Sequence, residues 1–446
     1  MNRCGSRSAH AHRDAPCMNA SRSSCRSTFR TRIAIFVLLL TAACRPGEPT
    51  APVPSPGDLP GREPMVRIGV VVDSATAGVS SAASFTIAES SGSVVARGAA
   101  GEVFVVRNEG GVLRGQSDRG QQFSSNAETL RVRAENDTVR LGGRSYRGEA
   151  LVRVAGSGVT AINVLELEAY LLGVVPREIG RRPVNEMDAM KAQAVAARTY
   201  AIGNLNGRAN LGFDFFATVQ DQVYGGTADE DPLVSQAVEE TRGEILTHNG
   251  RPILAYYSST CGGHTASIEE SWAGRAPLPY LRGVSDRIPG TDQHYCDTSS
   301  RFRWQHQWTR DELINTLGET LRAHTRGAVQ SVQRVNDVRI ADRNASGRVT
   351  IEVTADGQTH RVRMDSLRWV LRTSPGGPIL NSSMLLDMTA TEGSDGTVEH
   401  LQVAGGGWGH AIGMCQVGAM GRARAGQSYR EILASYYTGA RVERLY

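Results

Sequence analysis

The chain has 446 residues, 40% hydrophobic and 21% charged, enough apolar content for roughly two or three packed domains and too much for wholesale disorder. Its formal charge is +4, but residues 1–43 hold seven Arg against one Asp; the remaining 42 basic and 44 acidic residues leave the chain from Cys44 onward at −2. That balance excludes a nucleic-acid binder held by phosphate contacts, so no nucleic acid is expected as partner.

The basic excess belongs to the N-terminus. Residues 33–43 form an apolar run of 11 directly after an Arg-rich stretch. This is too short to span a bilayer and has the charged-then-apolar layout of a secretory signal, with either Met1 or Met18 as its start. Thr41-Ala42-Ala43-Cys44 resembles the lipobox of bacterial lipoproteins, with Thr41 where that motif prefers Leu. The resemblance implies lipidation of Cys44 and membrane contact through a lipid anchor alone; ordinary cleavage nearby would leave Cys44 without a role. Residues 45–64 contain seven Pro, a composition that favours extended, solvated chain. The expectation is a signal peptide over 1–43, a tether over 44–64, and an exported, periplasmic or cell-envelope body.

Short β-rich runs at 66–72, 103–106, 129–132 and 150–154, separated by Gly, Asn and Asp, predict a small β-domain over 65–158 that contains neither Cys nor His. Residues 165–175 predict a helix running into a turn at Pro176. A second helix follows from the spacing of Met187, Met190, Ala194, Ala197 and Ala201. Within a mixed α/β insertion over 305–398, Thr309 with Glu312 three positions on marks a helix start. Strands are expected there at 335–341, 348–354 and 360–364, the first two joined through the Asn344-Ala345-Ser346-Gly347 turn. The last block, 399–446, is Gly-rich and then helical over 428–437, completing a core that spans 159–304. The fold class is therefore α+β, a small β-domain followed by a mixed α/β body.

Glu178 follows an apolar run and Pro176, just before an Ala-rich helix. A carboxyl partly desolvated in this way has a raised pKa and can donate a proton, although a capping or surface Glu is the ordinary alternative. Glu186 suits a helix N-terminus. Cys261, His264, His294 and Cys296 form two short pairs whose residue types match a zinc site. In an exported protein two Cys more often form a disulfide, here Cys261 with Cys296, and free thiols complete the alternatives. On the helix after Glu178, Gln193 and Tyr200 lie two turns apart on one face. Arg198 suits either sugar oxygens or a clamp on a carboxylate such as Asp221. Lys191 is the only Lys among 49 basic residues, which suggests a need for an ammonium there unless it merely reflects a bias toward Arg. Dense glycine around Trp408 and His410 displays both on a tight loop.

Five segments occur in order: Gly173-Val174-Val175-Pro176-Arg177-Glu178-Ile179, the helical run from Ala189-Met190-Lys191 to Arg198-Thr199-Tyr200, Asp221-Gln222-Val223-Tyr224-Gly225-Gly226, Ser258-Ser259-Thr260-Cys261-Gly262-Gly263-His264, and Gly407-Trp408-Gly409-His410-Ala411-Ile412-Gly413-Met414-Cys415-Gln416. Together they resemble the SpoIID/LytB family of bacterial cell-wall proteins. The resemblance implies action on peptidoglycan glycan strands, either as a lytic transglycosylase or as a non-catalytic enhancer of a cell-wall amidase. It places the catalytic carboxyl at Glu178. A glycan groove is then expected to be lined by Lys191, Gln193, Arg198, Tyr200, Tyr224, His410 and Gln416. Relatives differ in whether they hold zinc, so zinc at Cys261, His264, His294 and Cys296 stays open beside the disulfide. Many family members carry Ser where Cys415 stands.

Overall fold

The computed structural model describes residues 61–446. The signal peptide over 1–43, Cys44 and nearly all of the 44–64 tether lie outside the described residues. A seven-stranded sheet runs, in spatial order, Phe215–Phe216, Met65–Ser74, Gly158–Glu166, Glu149–Ala155, Thr129–Ala134, Phe85–Glu89 and Val94–Gly98. A second sheet of six strands holds Thr76–Ser80 and Val103–Glu109 near its centre. Strands with one solvated face alternate as pleating requires: Val103–Glu109 buries Phe104 and Val106 and exposes the residues between them. Phe85 of the first sheet meets Phe104 of the second edge to face at 6.0 Å.

Gly158–Glu166 departs from alternation, being buried at every position except Glu166. Ile162 and Val164 pack on Phe213, while Val159, Ala161 and Leu165 join the main core. A strand covered on both faces reads as a continuous apolar run. It leads directly into helix α1 (Leu167–Ile179), so the polypeptide enters the helical region without a loop.

Around α1 lie α2 (Met187–Gly203) and α3 (Pro232–Glu240). Ala189, Ala192, Ala194, Ala196, Ala197 and Ala201 are fully buried, and these small side chains let α1, α3 and the strand Glu244–His248 approach α2 closely. The expected turn at Pro176 is not there. Pro176 lies inside α1, which continues to Ile179 and ends at Gly180, where φ is 77° and the amide donates to the Pro176 carbonyl at 3.1 Å. The ring costs the helix one amide donor, and its burial in the core holds it there. Glu178 is thereby a helical residue.

After the short α4 (Ile268–Ser271), a second hydrophobic core begins. It is built by α5 (Arg310–His324), α6 (Ser366–Val370) and two three-stranded sheets. Thr309 and Glu312 form the expected capping box of α5. The expected hairpin pairs Val335–Arg343 with Val349–Ala355, and Gln358–Arg363 adds the third strand. The strands Leu385–Glu392 and Val398–Gly406 were not expected from the sequence. The latter carries the chain from this second core back to the Gly407–Cys415 segment. Helices α7 (Gln416–Arg424) and α8 (Tyr429–Tyr436) return it to the main core, α8 with a capping box of Ser428 and Glu431. Among the described residues no helix is long and apolar enough to cross a membrane.

Candidate functional site

Glu178 occupies the last turn of α1, where helical carbonyls lack partners within their own helix. Its carboxyl Oε1 accepts the Val223 amide at 3.1 Å, and its backbone carbonyl accepts the Gln416 side-chain amide at 3.0 Å. The residue keeps partial exposure while its carboxyl sits among densely packed atoms. That burial pushes its pKa up to about 7, against the opposing pull of the Val223 amide and the Gln416 side chain.

Gln222, buried beside it, ties the surrounding elements together. Its Oε1 accepts from the Tyr170 hydroxyl at 3.3 Å, while Nε2 donates to the Tyr257 hydroxyl at 3.0 Å and to the Ala197 carbonyl at 3.3 Å. Burial, followed by the nearby charge of Glu178, pushes the Tyr257 hydroxyl well above its ordinary range, so it stays neutral. Neither Gln222 nor Tyr257 was among the residues expected from sequence. Their signal was positional: Gln222 lies within the Asp221–Gly226 motif, and Tyr256 and Tyr257 directly precede the Ser258–His264 motif.

The second part of the site is an aromatic patch. The Tyr256 ring lies 4.9 Å from Trp272, 6.2 Å from His410 and 6.3 Å from Tyr200, and Trp272 lies 5.1 Å from His410. All four rings are half-buried. The Arg275 guanidinium lies over Trp272 at 5.9 Å. Two laced segments build this face: Tyr257–Ser258 pairs in parallel with Met414–Cys415, and Thr260 bridges Trp408. Glycine is required at the crossing. At Gly413, with φ 72°, a Cβ would fall 2.0 Å from the Tyr256 carbonyl oxygen, and at Gly407 one would fall 2.6 Å from that of Thr260.

His410 Nδ1 accepts the Ile412 amide at 3.0 Å, which leaves the proton of the neutral ring on Nε2. Burial pushes its pKa down to about 4, so the ring is neutral at physiological pH. Among the described residues it joins the aromatic patch and shares no hydrogen bond with Glu178.

Several residues expected to line a groove are instead interior. Arg198 is fully buried and donates to Glu168 at 2.8 and 2.7 Å and to the carbonyls of Glu244 and Val238. It is a clamp, with Glu168 as partner in place of the anticipated Asp221. Tyr224 is 5% exposed; its hydroxyl donates to Asn163 and its ring packs on Tyr146 and Tyr170. Lys191, two positions and therefore about 200° from Gln193 around α2, pairs with Glu240 of α3 at 2.5 Å and leaves the face that carries Gln193. Gln193 and Gln416 are brought together, 3.3 Å apart, but both are buried, so they brace the acid from behind. Tyr200 alone of the α2 residues reaches the patch, its hydroxyl donating to Asp221 at 3.4 Å. Glu186 is buried in an ion pair with Arg424 at 2.7 Å.

The four expected zinc or disulfide residues separate into two sets. Cys261 and Cys296 Sγ atoms lie 3.6 Å apart, too far for a disulfide of about 2.05 Å, and all three described cysteines are free thiols. His264 turns its Nδ1 to the Thr265 carbonyl, and the His294 ring lies tilted against Phe302, 5.4 Å between ring centres. In their place Cys415 and Asp286 join the two cysteines. Ligands paired within a few residues are easily read from sequence; the approach of Cys415 across 154 positions is not.

The segments that build this site are shared with a family of bacterial proteins. The family model described as Stage II sporulation protein matches residues 155–248, which carry α1, α2 and the Asp221–Tyr224 segment. A domain of unknown function matches residues 288–413. An uncharacterized protein of Brachyspira hyodysenteriae is 33% identical over 305 residues, 68% of this chain and 73% of that protein. The Amidase enhancer of Bacillus subtilis is 28% identical over 353 residues, 72% of this chain but only 47% of its own length. Stage II sporulation protein D of Bacillus subtilis is 26% identical over 298 residues, covering 63% of this chain and 76% of that protein. The chain belongs to the SpoIID/LytB family.

Proposed function

We propose that this protein is an exported cell-wall enzyme, a lytic transglycosylase that cleaves peptidoglycan between N-acetylmuramic acid and N-acetylglucosamine. The observation that carries the reading is the Glu178 carboxyl, whose pKa of about 7 keeps a large fraction protonated near neutrality. Protonated Glu178 donates to the glycosidic oxygen as the C1–O bond breaks. The sugar's own 6-hydroxyl then closes on C1 to form the 1,6-anhydro ring, and its proton passes to the Glu178 carboxylate. One carboxyl thus serves as acid and then base, and the acid is regenerated without consuming water.

The aromatic patch supports glycan recognition. Half-buried Tyr256 and Trp272 offer ring faces to sugar rings, with the neutral His410 ring packed beside them. Residues 1–64 are assigned to export and tethering, with lipid attachment at Cys44. Labelling the full chain with radioactive palmitate in an envelope-forming host tests this; incorporation that survives Cys44→Ser would defeat it.

A second reading is favoured by the relative named Amidase enhancer: a regulatory module that binds glycan and stimulates a separate amidase without chemistry of its own. Mass spectrometry of purified sacculi incubated with the protein separates the two. Transglycosylase action releases anhydro-muropeptides, and Glu178→Gln abolishes them while glycan binding persists. An enhancer releases none, yet accelerates stem-peptide release by an added amidase.

A further inference from the structure

Away from Glu178, the densest chemistry among the described residues is a buried group of three thiols and a carboxylate. The ligand atoms of Cys261, Asp286, Cys296 and Cys415 all lie within 4.8 Å of one another. We propose that these four residues hold one thiophilic divalent cation of the zinc class, in a closed tetrahedral site that pins the start of α7 to the Cys261 and Cys296 loops.

The spacing fits. Sulfurs bound tetrahedrally at about 2.3 Å from zinc stand roughly 3.7 Å apart. Here Cys261 Sγ lies 3.6 Å from Cys296 Sγ and 3.7 Å from Asp286 Oδ2. Hydrogen bonds orient the Asp286 carboxylate as a ligand. Its Oδ1 accepts the Tyr436 hydroxyl at 2.7 Å and the Arg422 guanidinium at 3.3 Å, which turns Oδ2 toward the thiols. Cys415 Sγ receives the amides of Cys261 at 3.2 Å and Gly418 at 3.3 Å, at the N-terminus of the nine-residue α7, which fixes the sulfur in place beside the other three groups. Gly418 is needed for this approach, because a Cβ there would lie 2.4 Å from Asp286 Oδ2.

A separate observation comes from Arg348. Its side chain is fully buried, donates to the carbonyls of Ser346, Cys261 and His264, and leaves Nε without a partner among the described residues. Among those residues no carboxylate lies at ion-pair distance from it; Asp365 and Glu270 act on it only from farther away. Three thiolates and a carboxylate around a divalent cation carry a net −2, which Arg348 and the Asp286-bound Arg422 offset. Binding releases the three thiol protons to solvent and involves no oxidation or reduction. Because Cys415 directly precedes Gln416, the site would set the position of the amide that braces Glu178.

Metal analysis of the full chain, purified reduced and without chelator, tests the assignment. About one zinc per chain is expected, and cobalt substitution should give a tetrahedral ligand-field spectrum with thiolate charge-transfer intensity for three sulfurs. Cys415→Ser should lower that intensity by about a third, and Asp286→Asn should release metal to a chelator at least tenfold faster. A His264→Ala/His294→Ala variant should keep the full equivalent. Should Cys415→Ser fail to fold, the thiolate count in the parent cobalt spectrum decides alone. Reduced protein that binds neither metal, metal lost with the histidines, or a Cys261–Cys296 disulfide in the exported protein would overturn the proposal. None of these readouts depends on glycan cleavage.

Discussion

The Gln416 side-chain amide donates to the backbone carbonyl of Glu178 at 3.0 Å, across 238 positions of sequence. The carbonyl it meets belongs to the last turn of α1, and the Gln416 side chain, buried as the first residue of α7, lies between that turn and Gln193 of α2. A hydrogen bond to the main chain of the acid fixes the helix end without consuming the carboxyl, which is left to Val223 on one oxygen. Two segments from opposite ends of the body therefore meet at one residue.

Gln416→Ala leaves the Glu178 carbonyl and the Gln193 side-chain oxygen without this partner in a buried setting. The expected cost is about 1–3 kcal/mol of stability, read from the denaturation midpoint. If Glu178 is the catalytic acid, turnover should fall further than substrate affinity, since the change loosens the acid and spares the aromatic patch.

Glu178 also makes stability depend on pH. Its carboxyl titrates near its ordinary 4.5 when unfolded and at about 7 when folded. Between those values the folded state keeps a proton that the unfolded chain has released, so stability falls as pH rises through this window and stays lower above it. Glu178→Gln removes the penalty. Its unfolding free energy should match the parent at about pH 4 and exceed it by about 3 kcal/mol at about pH 8. Equal differences at both pH values would show that the carboxyl is not desolvated.

Arg198 is expected to matter for folding and not for glycan. Arg198→Met strands the Glu168 carboxylate, which also accepts the Tyr446 hydroxyl at 2.6 Å and the Gly243 amide at 3.1 Å, in the core. A loss of about 3–5 kcal/mol is expected by chemical denaturation, largely recovered when Glu168→Leu is added. Glycan affinity of the folded fraction should be unchanged.

Ala411 adopts φ 60°, in the left-handed region, within the tight loop that presents His410. A side chain there costs about 1 kcal/mol relative to glycine. Ala411→Gly should raise stability by about that amount in thermal or urea unfolding, with the His410 ring kept in place by the Ile412 amide.

Much of the architecture was legible in the sequence. The capping box at Thr309, the helix beginning near Ser428, the hairpin through Asn344–Gly347 and the Ala-rich face of α2 are local signals, set by hydrogen bonds and spacings within a few residues. The strands Leu385–Glu392 and Val398–Gly406 were missed because Gly405, Gly406 and many exposed polar positions mask their pattern; Val398–Gly406 is held by pairing with Arg303–Thr309 on one side and Leu385–Glu392 on the other. The desolvated setting of the Glu178 carboxyl was expected from its neighbours in sequence. The roles of Arg198, Tyr224 and Lys191 were not, because each depends on a partner 30 or more positions away: Glu168, Asn163 and Glu240.

The basic excess of the chain belongs to residues 1–43, and the amino-acid sequence alone determined that, together with the helix starts and the position of the acid. Only the tertiary structure decided what surrounds the acid: which polar side chains are buried braces, which rings face outward, and which four atoms converge at Cys261. Helix caps and strand alternation are local energies that a short stretch expresses by itself. Desolvation of Glu178 and the meeting of Cys261, Asp286, Cys296 and Cys415 arise only when distant segments exclude water together.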